Sequence, residues 1–140
     1  MQQRHTFRLS EQNQIVSVAF GTPNATETIF ASLSDQTVRS FAFSQTANEL
    51  IQIAQMQMND PDRLLWEPLR GQLLVADFDR NQKAQNVRAL CVTADGQLAL
   101  LGTPITTDMQ IWIWSWCRIG ANAIACFDGK KREIVLFDIK

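Results

Sequence analysis

One pattern recurs three times along the chain and limits what it can fold into. Each copy is an apolar strand, a turn marked by aspartate, and a second apolar strand. Ile124 to Ile139 reads I-A-C-F-D-G-K-K-R-E-I-V-L-F-D-I, with Phe127-Asp128-Gly129 leading into the turn. Phe30 to Phe43 reads F-A-S-L-S-D-Q-T-V-R-S-F-A-F. Leu73 to Val92 holds L-L-V-A-D-F-D-R-N, a short polar insert, and N-V-R-A-L-C-V. Apolar runs separated by Asp, Gly and Asn turns are hairpins. Three sets of markers share a period of about 47 residues, within the range of repeat architectures. They are the turn aspartates Asp35, Asp79 and Asp128, the bulky first-strand residues Val18, Trp66 and Trp114, and the third-strand starts Val38, Val87 and Ile134.

The remaining strands follow from composition and period. Ile15 to Phe20 is rich in β-branched residues and ends at Gly21-Thr22-Pro23-Asn24. In Glu49 to Met58, Ile51, Ile53, Met56 and Met58 alternate with glutamines, which favours a strand; Leu, Gln, Ala and Met keep a helix as the alternative. Pro68 limits the segment from Arg63 to Leu69 to a short or edge strand. Ala94-Asp95-Gly96 is a tight turn, followed by a strand at Gln97 to Leu101. His5 to Ser10 alternates weakly and reads as a short strand. No stretch of ten residues carries a convincing helical apolar stripe.

Short strands at this spacing predict an all-β fold, and four strands per repeat predict propeller blades, with a β-sandwich as the alternative. The units resemble divergent WD40-type blades, through the aspartate between second and third strands and the apolar residue that ends the third, as in Thr37 to Phe41. The chain holds no Gly-His pair and no Trp-Asp dipeptide in these units, so the hydrogen-bonded tetrad of that family is not carried over. One domain over 1–140 is expected, with blade 1 at about 15–58, blade 2 at about 63–105 and blade 3 at about 109–139. The resemblance implies that the strand at 5–10 closes the last blade. Three blades cannot close a ring. The expectation is completion by a second copy, by a protein partner, or by the remainder of a longer propeller, to which the end at Ile139-Lys140 directly after a strand would also correspond.

Composition excludes several roles. The 140 residues are 46% hydrophobic and 19% charged, with a net charge of −1. That suits a packed core and argues against disorder, a dedicated nucleic-acid binder or electrostatic membrane docking. No apolar run is long enough to cross a bilayer as a helix, and the N-terminus has no apolar signal core, which predicts an intracellular, cytoplasmic or nuclear protein. Cys91, Cys117 and Cys126 fit no metal-binding spacing and lie in apolar runs, so all three are expected to be buried, reduced thiols. The sequon Asn24-Ala25-Thr26 means little without a secretory signal.

Candidate chemistry is sparse. The single His5 cannot build a histidine metal site. Asp77 and Asp79 share a strand face and could act as paired carboxylates, but a turn role for Asp79 and an arginine or amide partner for Asp77 explain them better. No cofactor, metal or catalytic residue is expected. The basic cluster of Lys130, Lys131 and Arg132 is read as a solvated turn, with phosphate or acidic-peptide contact as the sharper alternative. Trp112, Trp114 and Trp116 recur at period two on one strand face, with Ile111, Ile113 and Cys117 on the other, so the strand is expected to be buried on both sides. An open third blade would instead make the tryptophans an aromatic platform for a partner. The expected function is a non-catalytic protein–protein interaction scaffold. Its partner-binding residues are Trp112, Trp114, Trp116, Phe7, Leu9, Ile134 and Leu136. The alternative is a lectin-like ligand-binding propeller lined by Trp66 and the Trp112–Trp116 stripe.

Overall fold

The computed structural model describes residues 6, 12–44, 46–102 and 113–138. These form eleven strands in three antiparallel sheets, each a meander in chain order. Sheet 1 holds β1 (Ile15–Gly21), β2 (Thr28–Leu33), β3 (Thr37–Ser44) and β4 (Glu49–Gln57). Sheet 2 holds β5 (Pro61–Glu67), β6 (Gln72–Asp79), β7 (Ala84–Val92) and β8 (Leu98–Leu101). Sheet 3 holds β9 (Ile113–Ile119), β10 (Ala123–Asp128) and β11 (Glu133–Asp138). The segment weighed between strand and helix is thus the strand β4. Among the described residues no helix is present beyond one 3-10 turn at Pro23–Ala25. The fold is all-β, as the repeat predicts.

The three sheets stack. Successive residues of a strand point to opposite faces, so a strand between two neighbours must be apolar on both. β6 satisfies this with Leu73 and Val75 on its back face, toward sheet 1, and Leu74 and Ala76 on its forward face, toward sheet 3. The back-face pair joins Phe30, Val38, Ala54 and Met58 of sheet 1 and its flank in one cluster. The forward pair joins Val87, Ala89, Ile113, Ile124 and Cys126 in another. Each fully buried Leu or Phe in these clusters contributes about 2 kcal/mol. β5 lies against β1 and β2 on one side and β9 on the other, while the outer strands β4 and β8 touch only lightly. The stack is therefore tightest along its first strands.

Side-chain details lock the stack. The Phe30 and Trp66 rings stack at 5.7 Å between centroids, 15° from parallel. Gly21 ends β1 directly beneath that indole, where any Cβ would overlap it. Ser17 Oγ accepts the Leu64 N–H at 3.3 Å, and Ser32 Oγ donates to the Asp62 carbonyl at 3.2 Å. Between sheets 2 and 3, Gln85 Oε1 accepts the Ile113 N–H at 2.7 Å, and Trp116 Nε1 donates to the Leu64 carbonyl at 3.1 Å.

Three expectations require correction. Ile113 and Trp116 do not face opposite ways; both pack in the cluster toward sheet 2. The β9–β10 register shifts between Phe127 and Asp128, and this extra residue in β9 reverses the alternation. β9 is not buried on both sides either, since Cys117 and Ile119 are exposed. Nor are all three thiols buried: Cys126 is, Cys91 is half-buried and Cys117 is exposed. The turn that Asp128-Gly129 leads into spans the four residues between Asp128 and Glu133. There Arg132, not Gly129, takes the left-handed conformation, as Lys83 does after Asp79.

Candidate functional site

The buried and half-buried carboxylates at the strand ends are each committed to structure. Asp79 Oδ1 accepts the Asn81 and Gln82 amides at 2.9 and 3.2 Å, and Asp128 Oδ1 accepts the Lys130 and Lys131 amides at 3.0 and 3.3 Å. These are the same turn in successive sheets. Asp35 holds the Thr37 amide at 3.2 Å and the Arg39 guanidinium at 2.6 Å. Burial alone would raise its pKa, but the Thr37 hydroxyl and Arg39 outweigh that and hold the carboxyl below its usual range. Asp77 accepts the Asp60 amide at 2.8 Å and pairs with Arg88 at 3.2 Å. Burial pushes its pKa up, against the pull of those amides and of Arg88. Asp77 and Asp79 therefore serve separate turns.

Glu67, which the sequence did not single out, is fully buried at the end of β5. It accepts the Leu69 and Arg70 amides at 3.1 and 2.7 Å. Arg118 Nε of β9 lies 3.1 Å away as an ion pair that is off hydrogen-bond direction. Arg70 also donates to the Ala121 carbonyl at 3.1 Å and to Asn122 Oδ1 at 3.2 Å. The carboxylate and its two arginines bridge sheets 2 and 3. Only the context of an acidic residue next to Pro68 and before a strand end hinted at it.

A cleft of about 210 Å³ opens between sheets 1 and 2, lined among others by Asn24, Thr28, Ser40, Ile53 and Thr93. No charged or aromatic side chain lines it. Among the described residues no group of acidic, Cys or His side chains is placed to hold a metal ion.

The remaining feature is an uncovered face. When the turn aspartates Asp79 and Asp128 are aligned, forward-facing positions of β5, β6 and β7 have counterparts in β9, β10 and β11. Leu65, Ala76, Val87 and Gln85 correspond to Ile119, Ala125, Leu136 and Ile134. In sheet 2 this face is packed against sheet 3: Val87 is 3% exposed and Gln85 4%. In sheet 3 the corresponding Leu136 is 65% exposed and Ile134 76%. Phe127 and Cys117 belong to the same face through their pairing with Ile134 and Ala125.

No known family model and no curated protein matches this sequence.

The expected partner-binding residues separate into groups. Ile134 and Leu136 lie together on the open face. Trp116 is half-buried between sheets 2 and 3, with its indole N–H bonded to Leu64. Trp66 is packed on Phe30. Neither tryptophan therefore lines an open sugar site. Phe7, Leu9 and Trp112 lie outside the described residues, as does the side chain of Trp114. Lys130, Lys131 and Arg132 are exposed in the β10–β11 turn. Missed by sequence reading were Ile119, Phe127 and Cys117. The signal was present, since alternation from Ile134 places Phe127 opposite it, but the bulge in β9 hid the rest.

Proposed function

We propose that the chain is a non-catalytic protein-interaction module, a portion of a propeller-like stack of β-sheets that is completed by another protein surface. The observation that carries this is the contrast between Val87 and Leu136. The face that sheet 2 buries against its neighbour is repeated on sheet 3 with nothing over it. Contiguous apolar faces rimmed by charge mark association sites. The meander order of each sheet, the close first strands and the lightly touching outer strands support the propeller-like reading. The structural use of Asp35, Glu67, Asp77, Asp79 and Asp128 supports a role without acid–base chemistry.

A photocrosslinking residue at Ile134 tests this in the native source. It is expected to capture a protein, whether another copy or a different chain. The same residue at Gln82, in an exposed turn of sheet 2, should capture none. Equal capture at both positions, or none at Ile134, would contradict the reading.

A further inference from the structure

We propose that the cleft between sheets 1 and 2 binds a small uncharged alcohol with an aliphatic body. This site is separate from the open face of sheet 3 and goes beyond the reading of the chain as an interaction module.

The floor of the cleft is the forward face of sheet 1. Ser40 pairs with Phe30 on one side and Ala54 on the other, and both lie in the cluster between sheets 1 and 2. Directly paired residues share a face, so Ser40 also points toward sheet 2, where that cluster ends and the cleft begins. Ala42 and Thr28 continue the same face at period two. The β3–β4 register skips Ile53, and this extra residue of β4 also lines the cleft. Ser40 is only 2% exposed, and its Oγ has no hydrogen-bond partner among the protein groups. A buried hydroxyl left unbonded is costly. Turning Oγ to another staggered position toward the cleft breaks no bond, because it makes none.

The rim is held by the chain itself. Asn24 Nδ2 donates to the Val92 and Thr93 carbonyls at 3.3 and 3.2 Å, tying the 3-10 turn after β1 to the end of β7. Asn24 and Ala25 both take left-handed conformations, with φ of 51° and 60°, which side-chain-bearing residues adopt at a cost. Across the cleft, Gly96 at φ 87° brings the β7–β8 turn against Ile53, so close that a Cβ would lie 3.3 Å from its side chain.

The lining selects the ligand. Pro23, Ala42, Ile53, Val92 and Ala94 give it apolar walls. No charged side chain lines it among the described residues, so an ion would be buried there without a partner. Thr28 Oγ1 donates to the Thr26 carbonyl at 3.1 Å and so can only accept from a ligand. Ser40 Oγ can donate. The two are diagonal neighbours on adjacent strands, and one ligand hydroxyl between them accepts from Ser40 and donates to Thr28. An apolar cavity of about 150 Å³ holds a benzene, so a ligand of about seven or eight heavy atoms suits this one.

NMR titration of the amide resonances of the full chain tests the proposal, with cyclohexanol as the probe and cyclohexanecarboxylate as its charged counterpart. Cyclohexanol is expected to shift the Ser40, Ala42, Val92 and Gly96 amides saturably, with a Kd on the order of a millimolar. The carboxylate should shift none of them. Ser40→Ala should weaken cyclohexanol binding about fivefold, the worth of one neutral hydrogen bond. Ala42→Leu, at a half-buried position on the cleft floor, should abolish it. Ser40→Ala removes an unbonded buried hydroxyl, so it should melt no lower than the wild type, which separates lost binding from lost fold. Absence of cyclohexanol binding would overturn the proposal and leave the cleft to water alone. Equal binding of the carboxylate, or an affinity untouched by either substitution, would overturn it as well.

Discussion

Val87 and Leu136 occupy the same place in successive sheets, each opposite an alanine of the strand before it, yet one is sealed and the other open. Ala76 and Val87 are covered by sheet 3, and Ala125 and Leu136 are covered by nothing described. The same repeat position is thus core in sheet 2 and surface in sheet 3.

The contact of Gly21 with Trp66 sets a steric test. Gly21→Ala places a methyl inside the indole, and overpacking of this kind costs about 1–3 kcal/mol. Trp66→Leu vacates that space but loses the stack on Phe30. The double variant should be less destabilised than the sum of the two singles, as urea unfolding midpoints would reveal. Strict additivity would mean that the two residues do not meet.

Glu67 is the polar residue on which the sheet 2–sheet 3 junction depends most. Glu67→Ala leaves Arg118 and two amides without their carboxylate, and breaking a buried pair costs about 3–5 kcal/mol. The exposed pair of Arg80 and Asp60 offers the control: Arg80→Ala should change stability by less than about 1 kcal/mol. Chemical denaturation of the two variants is expected to rank them in that order.

Asp35 gives the pH dependence. Its folded pKa is held below the unfolded value, so its ionised form stabilises the fold at neutral pH. That stabilisation is present above the unfolded carboxylate pKa of about 3.9 and is lost as the pH falls toward the folded value. Asp35→Asn should therefore cost stability at pH 7 and cost progressively less below pH 4, measured by thermal melts across that range.

The thiols differ in reactivity. Burial, with Cys117 nearby as a lesser cause, pushes the Cys126 thiol up to about 12, so it stays protonated and inert. In dilute protein Cys117 should alkylate first, Cys91 more slowly, and Cys126 only on unfolding. Mass spectrometry of timed iodoacetamide reactions would order them.

Much of this fold was legible in the sequence because strands announce themselves by period and turns by Asp and Gly. The repeat of Asp35, Asp79 and Asp128 located all three hairpins, and Pro68 set the end of β5. Departures arose where one residue changes a parity. The irregularity in β9 turned Ile113 to the same side as Trp116, and with it went the expectation that the strand is buried on both faces. Glu67 was illegible because burial of a carboxylate depends on arginines from another sheet, which no local pattern reveals. Ile134 and Leu136 were legible as apolar positions, but their exposure follows from what does not stack on them.

The most direct measurement is the alkylation rate of Cys117 in the native source, compared between the wild-type chain and Leu136→Glu. Cys117 shares the open face with Leu136 but does not pair with it. If that face is a docking surface, Cys117 should be protected in the wild type by tenfold or more, taking the loss of about 1.4 kcal/mol of association as one decade, and exposed in the variant. Equal, fast alkylation in both would contradict the account.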